Sequence, residues 1–89
     1  MTYRELRSAL VSKGNAEEDR RSHHVFFWID IEGRRYRATK FSHGASGQIS
    51  DSLLGKISHQ MRLKAPELKD FVNCTVERDQ WIELWCQRA

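Results

Sequence analysis

The sequence predicts a small α+β domain: an antiparallel sheet of two to three strands with helices packed on one face, in the order α-β-β-(β)-α plus two C-terminal helices. Three observations carry this. Two adjacent runs, Ser22 to Ile31 and Arg34 to Phe41, are rich in β-branched and aromatic residues and are separated only by Glu32-Gly33. Segments with apolar residues at helical spacing lie on both sides of that pair. At 89 residues and 10.5 kDa, with 39% hydrophobic and 30% charged residues, the chain has room for one core.

The elements follow in order. From Thr2 to Lys13, Tyr3, Leu6, Ala9 and Leu10 recur at helical spacing, Thr2 is a suitable N-cap and Gly14 suits the position after the helix. Asn15 to Arg21 holds charges in place of an apolar face and reads as an exposed connection. Glu32-Gly33 serves as a two-residue hairpin turn, which sets Ile31 opposite Arg34, Asp30 opposite Arg35, Ile29 opposite Tyr36, Trp28 opposite Arg37, Phe27 opposite Ala38 and His23 opposite Ser42. An Asp30–Arg35 charge pair and a Trp28–Arg37 indole–guanidinium pair support this register. One face then carries Val25, Phe27, Ile29, Ile31, Tyr36 and Ala38 as the core side, and the other carries Phe26, Trp28, Arg35, Arg37, Thr39 and Phe41. Ser42 to Gln48 reads as a loop in which a short third strand can be hidden. Ser50 caps a second helix with an Ile49–Leu54 staple and a Leu53, Ile57, Met61 stripe, leaving Lys56, His59, Gln60 and Arg62 facing away. Pro66 opens a third helix with Leu68, Phe71 and Val72, and a fourth begins near Glu77 with Trp81, Ile82, Leu84 and Trp85.

Charge is unevenly placed. Between Arg20 and Lys64 nine basic residues face three acidic ones, a local charge of +6, and the two ends together carry −3. Such an excess is the electrostatic footprint of a phosphate-backbone binder. The absence of a long apolar run and of an N-terminal signal pattern leads to the expectation of a soluble, cytoplasmic protein. Cys74 and Cys86 do not form a disulfide framework or a zinc spacing, and their apolar helical surroundings predict burial. No glycine-rich phosphate loop and no nucleophile elbow occurs, so neither nucleotide-hydrolase nor serine-hydrolase chemistry is indicated.

The titratable groups that suit proton transfer near neutrality are His23, His24, His43 and His59. The hairpin register brings His23 towards Ser42 and hence towards His43, with Arg20, Arg21 and Lys40 nearby. A neutral imidazole can take the proton of a ribose 2′-hydroxyl while cations stabilise charge developing on the phosphate, which is metal-independent RNA cleavage. The bland alternative is a set of exposed strand-end histidines. Phe26, Trp28 and Phe41, interleaved with Arg35 and Arg37, suit base stacking and phosphate contacts, or equally a protein interface.

Several short motifs resemble those of HicA-type toxins, the RNA-cleaving partners in bacterial toxin–antitoxin pairs, which have a double-stranded-RNA-binding-domain-like fold. They are Glu5-Leu6-x-x-Ala9-Leu10 ending at Gly14, Ser22-His23-His24, Thr39-Lys40-Phe41-Ser42-His43-Gly44, and Ile49-Ser50-x-x-Leu53-x-x-x-Ile57. The resemblance covers about residues 1–63 as a HicA-like core, with 64–89 as a C-terminal helical extension of the same domain. It implies an endoribonuclease (mRNA interferase) with His23 as the catalytic histidine of the family's Gly-Ser-His. Taken with the residue reading above, Ser22 and His43 are its expected supports, Arg20, Arg21, Trp28, Arg35, Arg37 and Lys40 are the expected RNA-binding residues, and no metal or other cofactor is expected. The resemblance further implies messenger RNA and a HicB-like antitoxin as partners; the lack of a long apolar run leads to the expectation of no membrane partner, and Trp81 and Trp85, one turn apart on the last helix, make a homodimer a further candidate assembly. The sequence departs from the family pattern at Arg21, where the family has glycine, and at Phe41, where it has proline. Arg21 either adds a phosphate contact or closes the backbone approach that glycine permits. Two alternatives stand beside this reading: a non-catalytic RNA-binding module of the same fold, and a protein-interaction domain using the aromatic sheet face or the last helix.

Overall fold

A computed structural model describes residues 1–42, 44–73 and 75–88. Helix α1 (Tyr3–Ser8) runs on directly as a π-helical segment, Ala9–Lys13, and is followed by strands β1 (Glu17–Arg21), β2 (His24–Ile31) and β3 (Arg34–Ser42), then helices α2 (Asp51–Gln60), α3 (Ala65–Val72) and α4 (Arg78–Gln87). The fold is α+β, with an antiparallel sheet ordered β1-β2-β3. Thr2 starts α1 with a full capping box, its side chain accepting from the Glu5 amide while the Glu5 carboxylate accepts from the Thr2 amide.

Among the described residues the third strand lies before the hairpin, in the stretch read from sequence as an exposed connection, and not in the loop after β3. β1 is an edge strand, Glu-Glu-Asp-Arg-Arg, whose five residues pair with Trp28 back to His24. Its alternation is between charges of two environments and not between polar and apolar residues, so its period carries no hydrophobic signal. A charged edge also resists pairing with another chain. Among the described residues, the loop after β3 contributes an isolated bridge between Thr2 and Gln48.

The β2–β3 turn is as the sequence predicts: Glu32 and Gly33 both take positive φ, 51° and 81°, the backbone of a two-residue hairpin turn. Ile31↔Arg34, Asp30↔Arg35, Ile29↔Tyr36 and Trp28↔Arg37 pair as expected. Beyond them the register shifts by one at a bulge, and Phe27 pairs with Thr39 in place of Ala38. Every later residue of β3 is thereby turned to the opposite face. Thr39 and Phe41 go into the core, fully buried and 8% exposed, and Lys40 comes out to the open face, where it lies over the Phe26 ring. Ser42 consequently stands opposite His24 and not His23.

The core lies between the sheet's inner face and the helices. Val25, Phe27, Ile29 and Ile31 meet Leu6 and Leu10 from the first helix, Ile57 and Met61 from and just beyond α2, and Leu68, Phe71, Trp81 and Trp85 from α3 and α4. The C-terminal helices therefore share the core of residues 1–63. Trp81 is fully buried and donates its indole N–H to the Met61 carbonyl at 2.9 Å. Gln60 and Arg62 do not simply face away: Gln60 accepts from the buried Thr39 hydroxyl at 2.7 Å, and Arg62 lies over the Trp85 ring and donates to the Trp85 carbonyl. Cys86 is exposed, against the expectation of burial, because the apolar stripe of α4 is set by Trp81 and Trp85. Cys74 lies outside the described residues.

Candidate functional site

The sheet's outer face is not covered by the helices. Along β2, the side chains that alternate with the core residues are His24, Phe26, Trp28 and Asp30. The first three form a ladder: the His24 and Phe26 rings are 6.2 Å apart, and the Phe26 and Trp28 rings are stacked at 6.2 Å with 23° between their planes. Three cations from β3 lie over this ladder. The Arg35 guanidinium is 4.9 Å from the Trp28 ring centre, and Arg37 and Lys40 are each 5.9 Å from that of Phe26. The indole–guanidinium pair is thus Trp28–Arg35, although Arg37 is the residue directly across from Trp28. The Trp28 indole nitrogen is covered and has no hydrogen-bond partner among the described residues.

β1 supplies the other flank and is the part of the face that sequence reading missed. Glu17, Asp19 and Arg21 stand opposite Trp28, Phe26 and His24. Glu17 takes Arg35 as its ion-pair partner at 3.3 Å, displacing the expected Asp30–Arg35 pair, and Asp19 holds Arg21 at 2.9 Å. Arg20 points to the opposite face and lies 3.8 Å from Glu18. Two of the basic residues read as a single cluster, Arg20 and Arg21, therefore serve different faces.

Ser22 and His23 form the turn joining β1 to β2, and both are exposed. Ser22 takes the left-handed backbone that this turn needs, φ 34°, at a cost on the order of 1 kcal/mol for a residue other than glycine. Arg21, which stands where the HicA-type motif it was compared with has glycine, is inside the β1 ladder paired with His24, so the backbone there makes no demand for glycine. The His23 imidazole has no hydrogen-bond partner among the described residues, whereas His24 is built into the ladder. His43 lies outside the described residues, so the expected approach of His23 and His43 has no counterpart among them.

Beside His24 the bulge creates a feature not legible in the sequence. A groove of about 220 Å3 between the end of β3 and α2 is lined by the polar His24, Lys40, Ser42, Lys56 and Gln60 and by the apolar Phe41, Leu53 and Ile57. An imidazole and two ammonium groups around one concavity suit an anion such as phosphate. Among the described residues no three His, Cys, Asp or Glu side chains converge on a point that could hold a metal ion, and no helix is long and apolar enough to cross a membrane. Comparison of the chain with protein-family models, with curated proteins and with solved structures finds no match.

Proposed function

We propose that this protein is a metal-independent RNA-cleaving protein of the toxin–antitoxin kind, with the open sheet face as its RNA-binding surface and an imidazole at the β1–β2 turn as its general acid or base. The observation that carries the proposal is the ladder of His24, Phe26 and Trp28 under Arg35, Arg37 and Lys40. Flat rings at successive outward positions suit unstacked bases, and cations over them suit the intervening phosphates. Arg21 and the His24 groove continue the cationic path to the turn where His23 stands. In this reading His23 removes the 2′-hydroxyl proton, the 2′-oxygen attacks phosphorus as its bond to the 5′-oxygen breaks, and water protonates the departing 5′-oxygen, leaving a 2′,3′-cyclic phosphate; Ser22 sets the position of His23 through the turn, and the neighbouring cations stabilise the charge that grows on the phosphate. A HicB-like antitoxin, the partner suggested by the resemblance, would cover this same open face.

A second reading, RNA binding without cleavage, is favoured by one observation: no described residue orients the His23 ring. The two separate in cells. Expression of the intact protein is expected to arrest growth and fragment messages, and His23→Ala to do neither; His24→Ala, which removes a ladder residue, tests the neighbouring imidazole. Equal growth and intact messages for wild type and His23→Ala leave the binding reading alone.

A further inference from the structure

On the other side of the sheet, where β1 meets α1, the chain forms a second concavity that neither the sequence motifs nor the outer face accounts for. Its volume is about 560 Å3, within the range that holds a small organic ligand. The floor is apolar and partly aromatic: Val25 and Phe41 from the sheet, with the Tyr3 ring set edge-on to Phe41 at 5.3 Å. The rim is cationic, with Arg4 and Arg7 on α1 and Arg20 on β1 around one carboxylate, Glu18.

The three arginines are not equivalent. Glu18 grips Arg7 through two hydrogen bonds, one of them Nη2 to Oε2 at 2.9 Å, and touches Arg20 only at 3.8 Å. Arg4 has no ion-pair partner among the described residues, and the Arg20 side chain is 55% exposed. Glu18 thus holds Arg7 closely and Arg20 only at the limit of an ion pair, and the rim keeps an excess of two positive charges above an aromatic floor. Exposed Ser46 and Gly47 of the loop after β3 close the far side with hydroxyl and backbone groups. A planar guanidinium fork matches phosphate oxygens, and an aromatic surface beside it matches the flat face of a base.

We propose that this pocket is a nucleotide site, taking the base of a nucleoside monophosphate against Tyr3 and the apolar floor and its phosphate between Arg4 and Arg20. The ligand is either a free nucleotide or one nucleotide of an RNA strand; the recognition chemistry is the same. The site stands apart from the RNA-cleavage reading, because it needs neither the outer face nor His23.

Amide chemical shifts of the intact protein, titrated with AMP, adenosine and ribose 5-phosphate, test it. AMP is expected to move the Arg20 and Gly47 amides saturably and to bind about tenfold or more tightly than either fragment, the scale of one base stack or one phosphate clamp. Arg4→Ala with Arg20→Ala, both exposed positions, should abolish that response while leaving the buried Trp81 indole signal in place. Ribose 5-phosphate binding as well as AMP, adenosine binding as well as AMP, no saturable shift, or an unchanged affinity in the double variant each overturns the nucleotide site. A 5′-phosphorylated oligoribonucleotide that displaces AMP from these amides assigns the site to an RNA strand; failure to displace it assigns the site to free nucleotides. RNA binding lost in Arg35→Ala with Arg37→Ala while AMP binding persists would separate this pocket from the outer face.

Discussion

Gly14 closes the first helix, and its replacement by alanine tests how tightly the C-terminal helices are joined to the rest of the core. Its φ of −77° is open to any residue, so the constraint is one of space. A Cβ there would stand 2.9 Å from the Leu10 carbonyl oxygen, 3.0 Å from Cζ3 of Trp81 and 3.2 Å from Cζ of Phe71. The first neighbour is backbone, and the other two belong to side chains that are fully buried and packed on each other with ring centres 5.0 Å apart. Neither ring can withdraw without disturbing Met61, whose carbonyl holds the Trp81 indole, or Lys13, which donates to the Phe71 carbonyl at 2.6 Å. Overpacking of this kind costs about 1–3 kcal/mol, and the smaller conformational freedom of alanine in the unfolded chain returns about 0.4–1 kcal/mol. The net loss is about 0–3 kcal/mol with a central value of about 1 kcal/mol, and about 1 kcal/mol is a fall in Tm of roughly 4–8 °C for a domain of this size. Thermal and urea unfolding followed by tryptophan fluorescence measure it, and Phe71→Leu in the same background should recover part of the loss as a coupling of about 0.5 kcal/mol or more. A Tm above wild type would refute the close approach of α3 and α4 to the first helix.

Three further outcomes follow from the same geometry. Arg35→Ala with Arg37→Ala should weaken RNA binding similarly for all sequences and reduce its salt dependence by about one or two phosphate contacts, read by filter binding across a salt series; unchanged affinity at every salt concentration would give the face to a protein partner instead. The Arg88 guanidinium, and after it the Lys64 amide, hold the Glu67 carboxyl down to about 2 from an ordinary 4.5. A lowered carboxylate pKa stabilises the fold above the unfolded value and loses that contribution as pH falls from about 4.5 towards about 2, so Glu67→Gln should flatten the acid limb of a stability profile, by about 0–1 kcal/mol for so solvated a pair. Arg78→Ala removes the donor to the Gly14 and Asp30 carbonyls and should lower the urea midpoint by the equivalent of about 1 kcal/mol.

The hairpin turn, the helix caps and the core stripes were legible because each has a local chemical signature: Glu32-Gly33 for positive φ, Thr2 and Ser50 for orphan amides, Leu68 and Phe71 for a helical face. β1 was not legible, since an edge strand with charges on both faces lacks the apolar alternation by which strands are recognised. Its absence from the sequence reading also hid the acids Glu17 and Asp19, and with them the true ion-pair partners of Arg35 and Arg21. The bulge at Ala38 was equally silent: neither Ala38 nor Thr39 is a bulge-forming glycine, and both fit a strand. That single extra residue moved Phe41 from the expected RNA face to the core, brought Lys40 outward, and gave His24 the place opposite Ser42 expected for His23. Trp28, Arg35, Arg37 and Lys40 share the open face, while Arg20 belongs to the pocket behind the sheet.

The proposed reaction cuts RNA with an imidazole and without a metal. Incubating the purified protein with end-labelled RNA in excess chelator, beside His23→Ala at matched concentration and with binding measured on the same samples, addresses it most directly. Fragments are expected with wild type, intact RNA with His23→Ala, and comparable RNA binding by both. RNA bound but uncut by the wild type, or cut equally by His23→Ala, would contradict the proposed reaction.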